Sequence, residues 1–347
     1  MPLTPASTSV IVASIPALIG FMPEDSLVLI ATLTKDAGSA SSGPLARIDL
    51  AHLANDPEGC ARHFNRQCAD LPVLRVTGVV VRSVDDGTAG DDALPLRADV
   101  DSVIAQLAEH GFVDVDVVSV PDIAEGARWR SYRDTDHTAV LPDPASTAAA
   151  AAAVAAGHTI AARRDDLAAR FTPAPEALRA RLHPRIAHAA ESAAIDESWH
   201  LAAHVRLARA DAAIRAAAHG ELPADDAAII DLAATFAVPA FREALLAVPD
   251  ATTHLAAENL VLHLWRHSCD AIAAQLATAI AVYAYLRGDG TVARIALEHA
   301  DAEQPLAGLL STMLSHAVSP SKVHHVFQNA SADARRTLLS EPATDQA

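Results

Sequence analysis

Hydrophobic residues form continuous runs in the first part of the chain. Residues 26–33 (SLVLIATL) and 73–81 (VLRVTGVVV) are long apolar stretches bounded by polar or turn-forming residues. Runs of this kind are typical of strands that are buried on both faces. Valine and aspartate alternate over residues 113–117, which indicates a half-buried strand. A shorter run at 46–50 predicts a strand that pairs with the first one through the Gly/Ser-rich loop 36–44.

Helical patterns separate these predicted strands. Residues 9–19 precede the first strand, and residues 58–69 lie between the second and the third. Residues 100–110 form another amphipathic stretch, which ends at Gly111, a residue suited to the position after a helix C-terminus. The order strand, helix, strand over 73–120 is that of a βαβ unit, in which the two strands are parallel. The pattern therefore predicts a small mixed sheet covered by helices.

From about residue 147 onward, the strand signals stop. Glycines and prolines punctuate a series of alanine-rich helical segments. In one of them Ile272, Leu276, Ile280 and Tyr283 follow helical spacing, which indicates a buried face. This part of the chain is predicted to be entirely helical.

One helical hairpin is similar to a tetratricopeptide unit. Gly288 stands at the predicted turn. The second helix has the small, large, small and proline spacing of that repeat, at Ala293, Leu297, Ala300 and Pro305. The first helix lacks the usual tryptophan, and no second copy follows at the repeat period. A lone hairpin of this kind is more often ordinary helical packing than part of a repeat array.

The predicted fold is therefore α+β with two domains. The α/β domain with its small mixed sheet covers residues 1–145, and the all-α domain with the tetratricopeptide-like hairpin covers residues 146–330. Residues 331–347 are predicted to be a flexible tail. A chain of 347 residues is long enough for two domains, each with its own core.

Charge and cysteine content exclude several classes of protein. The formal net charge is −17, whereas a nucleic-acid binder or a protein of anionic membrane surfaces needs a basic face. Three cysteines, Cys60, Cys68 and Cys269, do not make a disulfide framework. The apolar stretch 10–22 has no preceding Lys or Arg, as a signal peptide would have. The alanine run 148–156 is too short to span a bilayer. We expect a cytoplasmic protein with reduced thiols.

Acidic residues follow two neighbouring predicted strands. Asp85 and Asp86 come after the strand 73–81, and Asp122 follows the strand that ends near residue 120. Ligands of open α/β sheets bind beyond the carboxyl ends of parallel strands. The three carboxylates are therefore candidate ligands for Mg²⁺ in phosphate chemistry. The alternative, which we favour, is a solvated surface loop.

Two further groups of residues are candidates for ligand binding. Glu24, Asp25 and Ser26 lie in the turn between the first helix and the first strand, at a sheet edge. Trp129 and Tyr132, on an expected edge strand, offer a stacking surface. A well-specified turn and core packing are the respective structural interpretations.

Histidines at helical spacing are weak candidates for a metal site. Asp196, His200 and His204 recur every four residues and fall on one face of a predicted helix. His263 and His267 repeat the spacing. Two imidazoles one turn apart can chelate zinc, but no glutamate occupies the general-base position of a zinc-protease helix. Chance pairs are expected in a chain with 17 histidines, so we favour a solvated or interhelical face.

Four segments resemble a known family. They are residues 15–30 (IPALIGFMPEDSLVLI), 128–132 (RWRSY), 157–171 (GHTIAARRDDLAARF) and 285–300 (YLRGDGTVARIALEHA) with the LAGLL that follows. Together they resemble the actinobacterial family called domain of unknown function 4192. The resemblance spans about residues 15–320. It implies a cytoplasmic actinobacterial protein and carries no activity with it.

One departure from that family concerns metal binding. The family often places cysteines just after the segment that corresponds to RWRSY, whereas residues 133–144 contain none here. A thiolate site of relatives is therefore not carried over to this chain. Asp134, Asp136 and His137 are the residues present that have ligand chemistry.

The sequence leaves two functions open. The first, which we favour, is a non-catalytic protein-interaction or regulatory protein that binds a protein partner through the helical domain. The second is a Mg²⁺-assisted enzyme or small-ligand binder at the sheet edge. A phosphate-binding loop and a nucleophile elbow are both missing from the sequence. An enzyme should have a concave acidic pocket at the strand ends, and an interaction protein should have an apolar groove on its helices. No cofactor or oligomeric state follows from the sequence.

Overall fold

A computed structural model describes residues 5–34, 40–69, 71–82, 94–155, 157–195, 199–246, 250–316 and 318–340. The protein is mixed α+β, with its strands in the N-terminal part and helices in the C-terminal part. The chain folds into two compact units. Unit 1 comprises residues 1–164 with 315–317, and unit 2 comprises residues 165–314 with 318–347.

Unit 1 is built on a six-stranded mixed sheet of order β2-β1-β3-β4-β5-β6. The strands are β1 (Ser26–Thr34), β2 (Ala40–Asp49), β3 (Val73–Val81), β4 (Val115–Val120), β5 (Arg128–Ser131) and β6 (Thr138–Val140). β1 pairs antiparallel with both β2 and β3, and β3 and β4 are parallel. The predicted βαβ arrangement of β3 and β4 is confirmed, and so is the pairing of the short second strand with the first.

Helices cover this sheet. They are α1 (Pro5–Ile19), α2 (Leu50–Asn55), α3 (Pro57–Cys68), α4 (Arg97–Glu109) and α5 (Ala148–Ala155). α3 and α4 supply Phe64, Val103 and Leu107 to the core on one face, where they pack with Leu29 and Val117. The first six residues of β1 are all buried, as expected of a strand covered on both sides.

Two sequence expectations need correction. The strand predicted from residue 113 begins at Val115, and Val113 is 98% exposed because the chain has not yet joined the sheet there. β5 is not an edge strand, since β6 lies outside it. Helix α5 lies in unit 1, where Ala150 and Ala153 pack against Ala17 of α1. The domain boundary after residue 145 stays a prediction.

Unit 2 contains helices only, within the residues that the structure describes. They are α6 (Arg164–Ala169), α7 (Glu176–Ile195), α8 (Trp199–Ala217), α9 (Asp226–Ala237), α10 (Pro239–Leu245), α11 (Ala251–Arg266), α12 (Asp270–Arg287), α13 (Gly290–Glu298), α14 (Pro305–Ser315) and α15 (Pro320–Leu339). α12 is central to this unit, and every residue from Leu276 to Arg287 is buried. Its neighbours include α9, α11, α13 and α15.

The end of a helix overlaps the first part of the predicted flexible tail. α15 continues to Leu339, buries Ser331 and Leu338, and packs against α10, α12 and α8 in unit 2. The three cysteines are free thiols, as expected. Among the described helices, none has the length and apolar character needed to cross a bilayer.

Candidate functional site

The turn before β1 is held together by Ser26 and Arg47. The buried Ser26 hydroxyl donates to the Glu24 carbonyl oxygen at 2.5 Å and accepts from Arg47 Nε at 2.9 Å. Arg47 also donates to the Asp49 carboxylate at 2.7 Å. Glu24 and Asp25 are exposed, and Asp25 has a left-handed backbone with φ of 40°. The hydroxyl of Ser26 therefore joins the turn to β2, and the two neighbouring carboxylates remain at the surface.

The carboxyl ends of β3 and β4 lie side by side. Val81 pairs with Val120, so Asp122 lies just beyond this end of the sheet and is exposed. Asp85 and Asp86 lie outside the described residues. The Mg²⁺ site predicted from these three carboxylates therefore remains a prediction.

Trp129 and Tyr132 are both buried rather than displayed on a surface. The Trp129 indole donates from Nε1 to Ser9 Oγ of α1 at 2.8 Å, and the ring meets His137 edge-on with centroids 5.1 Å apart. The Tyr132 hydroxyl donates to the Pro95 carbonyl oxygen, and burial raises the pKa of this phenol. Both aromatic side chains tie β5 and the segment after it to the rest of unit 1.

The histidine candidates do not assemble a described metal site. Asp196 lies outside the described residues, as does the side chain of His200. His204 is exposed on α8. Asp134 accepts a hydrogen bond from the Asp136 backbone, and His137 packs on Trp129. No group of three or more His, Cys, Asp or Glu side chains is placed to hold a metal ion in the part of the chain that the structure describes.

A groove between α8 and α9 was not predicted from the sequence. Its volume is about 600 Å³. Alanines of both helices contribute to its walls: Ala212, Ala213 and Ala216 of α8, and Ala227 and Ala228 of α9. Leu222, in the connection between the two helices, lines the groove and is 40% exposed. We define these six residues as the alanine groove.

Charged residues lie beside the alanine groove and are paired with one another. Asp231 accepts from Arg206 at 3.4 Å and from Arg209 at 3.1 Å, and both Arg209 and Asp231 line the groove. Glu221 is exposed beside Leu222. The groove therefore combines apolar and charged lining residues, a combination typical of surfaces that bind a protein partner.

Buried charges form a network deeper in unit 2. Glu258 is 0% exposed, and its two carboxylate oxygens accept from Arg170 at 2.9 Å and from Arg287 at 2.7 Å. Arg287 also contacts Asp289 at 3.2 Å. The carboxylates raise the pKa of Arg287, although its burial opposes this effect. Every carboxylate oxygen of Glu258 thus has a cationic partner.

A second, smaller pocket adjoins this network. It has a volume of about 210 Å³. Its polar lining consists of Arg170, Asn259, His263 and Arg266. We refer to it as the arginine pocket. Sequence inspection singled out His263 for its spacing to His267 but missed both arginines, because Arg170 and Arg266 lie on different segments that only folding brings together.

Comparison with protein families identifies the chain. The model of the family described as "Domain of unknown function (DUF4192)" matches residues 9–321. The chain therefore belongs to this family, as the four sequence segments indicated. Comparison with curated proteins found no match, and neither did comparison with solved structures.

Proposed function

We propose that this member of the DUF4192 family is a non-catalytic protein-interaction protein, and that its alanine groove binds an amphipathic helix of a partner. The observation that carries this proposal is the groove itself, about 600 Å³ in volume with walls of alanine. It is the type of surface that we expect of an interaction protein, and it lies on helices. The whole groove belongs to unit 2.

The small side chains of the walls favour a helix as the bound segment. Alanine lets a helix backbone approach closely, because no long side chain keeps it away. A partner helix would insert apolar residues spaced three and four apart, as in other helix-in-groove complexes. Asp231 already pairs with Arg206 and Arg209, so these charges largely neutralise one another. We therefore expect them to affect the orientation of the partner more than its affinity. The net charge of −17 favours encounter with a basic partner.

Further parts of the proposal concern organisation. We propose that the two compact units are separate domains of a cytoplasmic protein. The hairpin of α12 and α13 is the proposed tetratricopeptide-like element. In support, Gly288 has a φ of 92° at its turn, Ala293 is buried, and Pro305 opens the following helix α14.

The test uses a tryptophan that fills the groove. Ala212 is exposed in the groove wall, so Ala212→Trp should leave the fold intact. Ala208→Trp is the matched control, because Ala208 is also exposed on α8 but does not line the groove. Each tagged protein is expressed in the cells from which the chain comes, and the co-purified proteins are quantified by mass spectrometry.

The expected result is a partner that co-purifies with the unsubstituted protein and with Ala208→Trp. Ala212→Trp should reduce its recovery at least tenfold. A synthetic helix from that partner should then bind the purified chain, with the same loss on Ala212→Trp. Equal recovery of every partner with the two variants would contradict the proposal.

The second candidate is a Mg²⁺-assisted enzyme or small-ligand binder at the sheet edge. The exposed position of Asp122, beyond the adjacent ends of β3 and β4, supports it. Titration calorimetry with MgCl₂ tests this candidate on the unsubstituted protein and on Asp122→Asn. Saturable binding that Asp122→Asn abolishes would favour it over the interaction function.

A further inference from the structure

The arginine pocket shares Leu222 with the alanine groove but has a different chemistry. Its apolar lining comes from Ala217, Gly220, Leu222 and Leu262, while Arg170, Asn259, His263 and Arg266 supply polar atoms. A volume of about 210 Å³ is below the range of ordinary ligand pockets, roughly 300–1,000 Å³, so it suits a ligand of few atoms.

Arg170 is held rigidly at this pocket. Its Nη2 donates to Glu258 Oε1 at 2.9 Å and to Asn259 Oδ1 at 3.1 Å. Because Glu258 is fully buried, the carboxylate holds the guanidinium from the protein interior. Among the described residues, nothing accepts a hydrogen bond from Nε or Nη1 of Arg170. These donors remain available to a ligand.

Arg266 is held in place through the backbone. Its Nε and Nη2 donate to the Arg170 carbonyl oxygen at 2.9 and 2.6 Å. Within the described part of the chain, no carboxylate forms an ion pair with Arg266. The carbonyl oxygen accepts hydrogen bonds but supplies no compensating charge, so no described residue provides a counter-ion for Arg266.

The charges of this region do not balance. Arg170, Arg266 and Arg287 are cationic, and among the described residues the carboxylates that pair with them are those of Glu258 and Asp289. The excess is one positive charge, in a chain whose net charge is −17. His263 adds none at neutral pH, because burial and the neighbouring His267 and Arg266 lower its pKa. Its Nε2 donates to the Pro223 carbonyl oxygen at 2.9 Å.

We propose that the arginine pocket binds one small oxyanion, a phosphate or a short-chain carboxylate, against Arg170 and Arg266. Guanidinium groups bind oxyanions through paired, charge-assisted hydrogen bonds. Asn259 adds a donor, because its Oδ1 accepts from Arg170 while its amide nitrogen carries two N–H groups. The bound anion neutralises the excess positive charge. The assignment of this ligand does not rest on the partner helix proposed for the alanine groove.

The experiment is titration of the full chain with sodium phosphate and, separately, with sodium acetate. Binding is followed by calorimetry at pH 7.5, with sodium chloride holding the ionic strength constant. We expect one site per chain. Saturation by phosphate alone assigns a phosphate ligand, saturation by acetate alone assigns a carboxylate, and saturation by both assigns a general oxyanion site. If neither anion binds beyond chloride, the proposal is overturned.

Variants locate the site. Arg266→Gln removes the uncompensated charge and should weaken binding at least tenfold, whereas Arg266→Lys should keep it within a few-fold. Asn259→Leu removes another donor from the pocket and should also weaken binding. It tests the site if Arg266→Gln does not fold. Arg294→Gln is the control, because Arg294 is exposed on α13. Saturable binding that neither Arg266→Gln nor Asn259→Leu weakens would place the anion elsewhere and refute the proposal.

Discussion

Arg287 donates from Nη2 to Glu258 Oε2 at 2.7 Å, and both side chains are almost completely buried in unit 2. The same carboxylate also receives Arg170 at 2.9 Å. Glu258 on α11 thus connects the end of α12 with the segment that follows α6. A buried carboxylate with two cationic partners is difficult to remove, because its loss leaves buried positive charge behind.

Glu258→Gln should therefore destabilise unit 2 strongly. Breaking a buried ion pair from one side costs about 3–5 kcal/mol. Glu191→Gln, at an exposed position on α7, should cost less than about 0.5 kcal/mol. Urea unfolding followed by circular dichroism measures both variants, and similar unfolding free energies for the two would show that the network contributes little.

Ser9→Ala should destabilise unit 1. Ser9 accepts the buried Trp129 Nε1–H at 2.8 Å, so its removal leaves that donor without a partner. The expected cost is about 1–3 kcal/mol. Ser14→Ala is the control on the same helix, because the Ser14 hydroxyl donates to the Val10 carbonyl oxygen within that helix. Thermal unfolding monitored by tryptophan fluorescence should show a lower midpoint for Ser9→Ala alone.

Gly78→Ala should disturb the centre of the sheet. A Cβ at this position on β3 would meet the Val117 side chain at 2.9 Å and Leu29 at 3.3 Å. Crowding of this kind costs about 1–3 kcal/mol. Gly308→Ala, within α14, meets nothing closer than 3.9 Å and should instead stabilise by about 0.5–1 kcal/mol. Opposite shifts of the unfolding midpoint in urea are expected, and a stabilising Gly78→Ala would contradict this packing of the sheet.

Acid should weaken unit 2 through His254. This side chain is buried, and burial, followed by smaller effects that include His324 and Arg287, lowers its pKa in the folded state. The unfolded chain therefore binds a proton more readily than the folded one. The contribution of His254 to the free energy of unfolding is fully present above its unfolded pKa of about 6.5. Below that value the free energy of unfolding falls with pH by at most about 1.4 kcal/mol per pH unit.

The measurement is the unfolding free energy between pH 7.5 and 5.5, for the unsubstituted protein and for His254→Gln. The Nδ1–H of His254 donates to the Asp250 carbonyl oxygen at 2.7 Å, so the variant should be less stable at every pH. Its loss of stability on acidification should nevertheless be smaller than that of the unsubstituted protein. Equal losses would show that His254 does not bind a proton on unfolding in this range.

Much of unit 1 follows from local sequence patterns. The apolar runs of β1 and β3 are almost continuous, whereas a strand with one exposed face alternates apolar and polar residues. They therefore predict strands that are buried on both faces. The helix between β3 and β4 gives the parallel pairing. β6 was missed because its three residues carry no pattern, and its absence from the prediction placed Trp129 on an edge.

The surroundings of the candidate site residues, in contrast, do not follow from local sequence patterns. Ser26 was a candidate because its hydroxyl lies in a polar turn. In the structure this hydroxyl accepts a hydrogen bond from Arg47, and nothing in the local sequence indicates this pairing. The alanines of α8 and α9 look like helix-packing residues in the sequence. Whether an alanine face is filled by another helix or left as a groove depends on where the remaining helices pack.

The sequence by itself determined the family, the mixed α+β class, the parallel pairing of β3 and β4 and the helical character of the second part, because periodicity and segment signatures are local properties. Only the tertiary structure decided which charged side chains pair with one another and where pockets are left between the helices. Glu258 pairs with Arg170 and Arg287 across three segments of the chain. Arg266 lines a pocket and has no acidic partner among the residues that the structure describes. These relationships depend on distances between residues far apart in the sequence, which no local pattern records.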